Sequence, residues 1–130
     1  RIVGDRFVFQ SEVLFDAGGS DLNEAGQAEM GKLATALLDL AREIPAEINW
    51  VLRVDGHTDN VPLSGTGRYR DNWELSSARA TSVVKFLIPR GVPPNRLVAA
   101  GFGQLQPIAE GEADAARAIN RRIELKLTER

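Results

Sequence analysis

Apolar residues recur along the chain with two different periods, and the periods divide it into elements. Phe7-Val8-Phe9 and Val13-Leu14-Phe15 are short apolar runs that read as one strand with a bend or as a short hairpin. A loop follows at Asp16-Ala17-Gly18-Gly19-Ser20. Asn23 is placed to cap a helix in which Met30, Leu33, Ala34, Leu37, Ala41 and Ile44 keep the 3.6-residue period. That helix is predicted to run to about Glu43, and Pro45 stops it. Ile48, Trp50, Leu52 and Val54 alternate with polar residues, as a strand should. A second helix is predicted from Asp71 or Asn72, where Asp71 and Glu74 have the spacing of a capping box. It ends before Gly91-Val92-Pro93-Pro94. Leu97 to Gly103 predicts a strand and Glu112 to Ala118 a short Ala-rich helix. The last strand carries Ile123, Leu125 and Leu127 on one face and Arg122, Glu124 and Lys126 on the other, which predicts one packed and one wet sheet face. The order β-α-β-α-β-(α)-β predicts an α+β domain with helices over one face of a mixed sheet.

Composition narrows the classes without naming one. A chain of 130 residues reads as a single domain, 1–130, large enough for an ordinary core. Its 43% hydrophobic and 26% charged residues are those of a soluble globular protein. The formal charge of −2 gives no basic excess for nucleic acid. With no Cys, disulfides and thiolate metal sites are excluded. No run approaches the ~18 apolar residues of a membrane span, and no signal peptide is visible. The chain starts at Arg1 without Met, and strand-like residues follow almost at once. The expectation is a domain excised from a longer protein, with any anchoring segment outside it.

Candidate chemistry concentrates between Asp55 and Ala80. At ~100° per residue, Leu75, Ala80, Val83, Phe86 and Leu87 fall within an arc of about 140°. Arg79 lies inside that arc. A guanidinium at the edge of a buried face needs a partner. Two readings stay open: a structural ion pair, or a fork holding a ligand carboxylate near a helix start. Asp59 follows a strand, where ligand contacts are common, yet Asp59-Asn60 is also ordinary turn chemistry. One fixed carboxylate and one fixed guanidinium suit a ligand that carries an ammonium and a carboxylate together. Nothing local forces Asp59 and Arg79 into one site. His57, the only histidine, forms H-x-D with Asp59, but a zinc site needs more N, S or O ligands than this segment offers. His57 is read as structural, with no metal and no cofactor. Ser64, Ser76 and Ser77 have no convincing base, and Gly65-Thr66-Gly67 lacks the lysine and spacing of a phosphate loop.

Several segments together resemble the OmpA-like peptidoglycan-binding domain shared by OmpA C-terminal domains, peptidoglycan-associated lipoproteins and MotB. They are VLFDAGGSDL at 13–22, VDGHTDNVP at 54–62, NWELSSARATSVVKFL at 72–87, RLVAAGFGQLQPI at 96–108 and NRRIEL at 120–125. The NVP loop, YRDNWELS and the opening VFQSEVLF are more similar to the MotB branch. The resemblance implies a four-stranded mixed sheet of order 1-4-2-3 with the last strand antiparallel. It implies non-covalent binding of peptidoglycan at the meso-diaminopimelate of the stem peptide. Asp59 would accept the ammonium and Arg79 would hold the carboxylate. Thr58 and Asn60 would contribute beside Asp59, and Asn72, Leu75 and Ser76 would shape the pocket. The loop from Asp16 through Gly18 to Gly19 would form the opposite wall, and Arg122 would add positive potential. Many members carry Asn where this chain has Gly18 or Gly19, so backbone N–H groups would have to serve there. The family further implies a periplasmic domain of a membrane-anchored parent, an envelope protein or a MotB-like stator of the flagellar motor, with a homodimer as one state to test. Two other functions compete: a dimerisation scaffold without ligand, and a cell-wall hydrolase using His57 and Asp59. The single histidine and the absence of a catalytic set favour a binding module over an enzyme.

Overall fold

The computed structural model describes the backbone of residues 2–3 and the whole of residues 6–130. Strands β1 (Ile2–Val3) and β2 (Arg6–Gln10) form a short antiparallel ladder. Helical turn α1 (Ser11–Leu14) and helix α2 (Glu24–Ala41) precede β3 (Trp50–His57). Helix α3 (Asn72–Leu87) leads to β4 (Leu97–Gly101), then α4 (Asp114–Asn120) and β5 (Arg122–Glu129). The sheet order is β1-β2-β5-β3-β4. Leaving aside the two-residue β1, the four main strands have the order 1-4-2-3. Strand β5 runs antiparallel to β2 and β3, while β3 and β4 are parallel.

Local chemistry sets the helix boundaries. Asn23 accepts the Gly26 N–H at 2.7 Å and starts α2. Asp71 accepts the Glu74 N–H at 2.9 Å and starts α3. The return arm of the predicted capping box closes one residue earlier than the motif requires: Glu74 accepts from the Arg70 N–H at 2.9 Å. Met30, Leu33 and Leu37 of α2 and Ala80, Val83 and Leu87 of α3 share one core with Leu52, Val54, Ile123 and Leu125 of the sheet.

Three expectations are corrected. Val13-Leu14-Phe15 is not a strand; Ser11 donates its N–H to the Arg121 carbonyl at 2.8 Å, and the chain turns there. Leu14 and Phe15 are both buried while Val13 is exposed, so the run never had strand parity. Strand β3 continues to His57, because Asp55, Gly56 and His57 pair with Glu124, Ile123 and Arg122. The second sheet face is not wet at this end. Asp55, His57, Arg122 and Glu124 all lie there and are buried. The segment after β4 folds back over them: Gln106 offers its carbonyl to Arg122 at 2.8 Å. Asn120 clamps the same segment, accepting the Ile108 and Ala109 N–H groups and donating to the Ala109 carbonyl, each at 2.9 Å.

Candidate functional site

The start of α3 packs against the ends of β3 and β4 at backbone distance. A Cβ at Gly56 would sit 2.1 Å from the Ser76 carbonyl oxygen, and one at Gly101 would sit 2.1 Å from Ser77 Oγ. Only glycine permits this approach. Buried Ser76 accepts the Gly103 N–H at 3.0 Å, and Thr58 donates its own N–H to the Gly103 carbonyl at 2.9 Å. Buried Asn72 uses Nδ2 to reach the carbonyls of Asp59 (3.4 Å) and Val61 (3.1 Å) and the side-chain oxygen of Gln104 (3.1 Å). Asn72 and Ser76 therefore hold the loop that presents Asp59 from behind, and Leu75 is buried beside them in the first turns of α3.

Arg79 is 6% exposed. Its Nε donates to the Gly19 carbonyl at 2.8 Å, and its guanidinium carbon lies 5.1 Å from the centre of the Phe15 ring. Among the described residues no carboxylate forms an ion pair with it. Burial lowers its pKa below the ordinary arginine value; Glu12, Tyr69 and Asp59 oppose that, and Arg121 adds to it. The side chain faces a cavity of about 460 Å³ lined by Ser11, Glu12, Phe15, Asp16, Ala17, Gly18 and Arg121. The Asp16–Gly19 wall is backbone-shaped: Gly18 has φ +72°, and Gly19 donates its N–H to the Asp16 carbonyl at 2.9 Å. The 61–71 loop closes the far side of that wall through a hydrogen bond between the Tyr69 and Ser20 hydroxyls.

Asp59 takes the turn role that the sequence offered and adds an ion pair. One carboxylate oxygen accepts the Val61 N–H at 3.0 Å, an Asx-type turn. The other accepts from Arg121 Nη1 at 2.7 Å. Arg121 also donates through Nε to Glu12. Burial alone would lower the Arg121 pKa, but the hydrogen bonds to Asp59 and Glu12 outweigh it and hold the group above its usual value. The result is a chain of alternating charges, Glu12–Arg121–Asp59, beside the unpaired Arg79. A ligand end carrying both an ammonium and a carboxylate matches that arrangement.

Arg122 is not part of this cavity. It is 2% exposed on the other sheet face, where it donates to Glu124 at 2.5 Å and to the carbonyls of Asn120 and Gln106. Strand parity explains the correction. Arg122 shares a face with Glu124 and Lys126, so the preceding Arg121 turns the opposite way. The same parity argument, applied to the NRR motif, would have found Arg121 in the sequence. Glu12 carried no such signal, because its position depends on the α1 turn. Thr58, Asp59 and Asn60 also lie outside the lining of the Arg79 cavity, Asp59 reaching its edge through Arg121. Thr58 and Asn60 line a separate cavity of about 240 Å³ with Gln104, Pro107 and Asn120, and Asn60 accepts from Arg117 at 3.0 Å.

His57 stacks on Phe102, with ring centres 5.0 Å apart, and its Nε2 lies 4.0 Å from Glu124. Burial, with Arg122 next, lowers its pKa to about 4. Asp55, His57 and Glu124 bring ligand-type atoms within 4.8 Å of one another. Both carboxylates are already held, Asp55 by Arg53 at 2.9 Å and Glu124 by Arg6 at 2.7 Å and by Arg122. Three guanidiniums leave a dication little electrostatic reason to enter. His57 points into this network, and among the described residues it forms no pair with Asp59, so the H-x-D segment does not assemble a hydrolytic pair.

A mixed 1-4-2-3 sheet with a long helix starting beside a strand exit, and a charged cavity at that junction, defines an OmpA-like domain. The sequence profile of the OmpA family matches residues 14–121, and the chain belongs to that family. It is 35% identical over 122 residues to outer membrane protein A of Bordetella avium, covering 94% of this chain and 57% of that protein. Among solved structures, a MotB-like protein from Desulfovibrio vulgaris superposes with a TM-score of 0.85 at 31% identity, covering 96% of this chain and 75% of that one. The cell wall anchor of the type VI secretion system of Pseudomonas aeruginosa superposes with a TM-score of 0.81 at 28% identity, covering 95% and 80%. The chain spans about half the length of the curated relatives it matches. Among the described residues no helix is long and apolar enough to cross a membrane.

Proposed function

We propose that this domain binds peptidoglycan non-covalently, through the diaminopimelate of the stem peptide, and so tethers a membrane-anchored parent to the cell wall from the periplasm. The observation that carries the reading is Arg79. Its Nε is fixed on Gly19, and it lines a cavity in which neither Glu12 nor Asp16 forms an ion pair with it. In the proposed complex the Arg79 fork holds the diaminopimelate carboxylate in two parallel hydrogen bonds. Asp59 accepts the neighbouring ammonium, an interaction it shares with Arg121. Glu12 takes up part of the charge that Arg121 gives up. The Asp16–Gly19 wall contributes backbone N–H groups, and Thr58, Asn60, Asn72, Leu75 and Ser76 keep Asp59 in place. Such binding needs no nucleophile, base or metal, and the domain is read as a binding module, not an enzyme. The cell wall anchor and the MotB-like protein among its structural relatives support the reading.

Co-sedimentation with insoluble diaminopimelate-type peptidoglycan tests it. The wild-type domain is expected in the pellet. Asp59→Asn and Arg79→Met are expected in the supernatant, with unchanged circular dichroism. Losing one partner of a desolvated charged contact costs roughly 2–5 kcal/mol, enough to abolish pelleting. If both variants pellet like wild type, the assignment is wrong.

A further inference from the structure

A second cavity, of about 320 Å³, is lined by Pro62, Leu63, Arg70, Trp73, Gln104 and Leu105 among others. Trp73 sits in the first turn of α3 yet is 52% exposed, and Leu105 beside it is 60% exposed. A first-turn position next to polar capping residues gives such an indole no core to fill. Trp73 is held at its backbone. Its carbonyl accepts from Ser76 Oγ at 3.1 Å, and a Cβ on Gly103 would lie only 3.6 Å from its Cδ2 atom. Around this exposed aromatic face stand groups with unused donors. Arg70 forms no ion pair among the described residues. The Gln104 side-chain oxygen accepts from Asn72, which leaves its amide N–H₂ for other partners. Asn72 lines this cavity and also holds the carbonyls of Asp59 and Val61, so its floor is continuous with the loop that presents Asp59.

From this we infer that the Trp73 cleft is a saccharide subsite for an N-acetylated pyranose of the glycan strand, next to the stem-peptide site. The inference rests on the peptidoglycan reading above and extends it to the polymer's sugar. A flat pyranose face presents polarised C–H bonds, and these suit the negative face of an indole. Its hydroxyl and acetamido oxygens suit neutral amide and guanidinium donors at the rim. A cavity of this size is at the lower end for small ligands and fits one ring better than an extended peptide. Continuity through Asn72 favours a ligand whose sugar and peptide are covalently joined. The main competitor is a protein surface, since Val61 and Ile108 are also exposed.

Calorimetric titration separates these cases. The probes are the diaminopimelate stem peptide and the same peptide attached to its disaccharide, each titrated into wild type, Trp73→Ala and Trp73→Phe. The expected result is that wild type binds the glycosylated probe roughly three- to tenfold more tightly than the bare peptide. Trp73→Ala removes that increment and leaves bare-peptide affinity unchanged, while Trp73→Phe keeps most of it. Equal affinity of wild type for the two probes would overturn the subsite. So would an equal loss on both probes in Trp73→Ala, which would make Trp73 part of the peptide site or of the fold. A change confined to sedimentation-velocity self-association in Trp73→Ala would mark the patch as a contact between copies of the chain. Wild type that ignores both probes would instead overturn the stem-peptide reading and the subsite with it.

Discussion

Arg79 places a guanidinium where burial is unfavourable and where the described residues offer it a carbonyl and an aromatic face but no ion-pair partner. A buried cation without its anion is a cost to the fold. Replacing it with an apolar side chain of similar length removes that cost together with one hydrogen bond. Arg79→Met is therefore expected to unfold within about 1 kcal/mol of wild type, or at higher denaturant, as read by urea titration. A structural ion-pair residue would behave differently, losing about 3–5 kcal/mol when its partner is stranded. Asp59 is expected to split its two functions. Asp59→Asn keeps an oxygen for the Val61 N–H and so preserves the turn, but it removes the charge that Arg121 meets.

At the scale of elements, the site depends on how closely α3 approaches the sheet. Gly56 is the point of contact, with the Ser76 carbonyl oxygen 2.1 Å from where a Cβ would stand. Backbone cannot yield as a side-chain tip can. Gly56→Ala is expected to lower stability by about 3 kcal/mol in thermal or urea unfolding and to weaken peptidoglycan pelleting, because Ser76 and Asn72 move with the helix start. The same element shows what the sequence discloses. Asn23 and Asp71 announced both helix starts, since a cap acts on residues three positions away. The 1-4-2-3 order came from the family resemblance, and β-strand periodicity alone would not have given it. Val13-Leu14-Phe15 misled because three adjacent apolar residues carry no period. Arg79 could be placed from its helical arc and Asp59 from its strand exit. Glu12 and the burial of His57 could not be foreseen, because both follow from segments distant in sequence: α1 turns at Arg121, and residues 102–120 fold over the second sheet face.

For the whole molecule, that covered face makes stability depend on acid. His57 lies among Arg122, Glu124, Arg6, Arg53 and Asp55, and its pKa falls from 6.5 in the open chain to about 4 in the fold. Between those values the unfolded chain binds the extra proton and the folded chain does not. Stability is thus fully present above pH 6.5 and is lost as pH falls toward 4, by about 3 kcal/mol from this group. Glu124 also loses pKa in the fold, through its hydrogen bonds with Arg122 and Arg6 against the opposing effect of burial. Its contribution has the same sign and disappears at still lower pH. Unfolding midpoints measured from pH 7 to 4 are expected to fall in wild type and to fall distinctly less in His57→Gln. Equal slopes for the two proteins would show that His57 titrates normally.

In the proposed function, Arg79 meets a carboxylate that lies beside an ammonium on the ligand. Lysine-type and diaminopimelate-type stem peptides differ by that one carboxylate, so titration calorimetry of the wild-type domain with both, at equal salt, tests it most directly. Clear preference for the diaminopimelate peptide is expected in wild type, and loss of that preference in Arg79→Met. Equal affinity of the wild-type domain for the two peptides, or a preference that survives Arg79→Met, would contradict it.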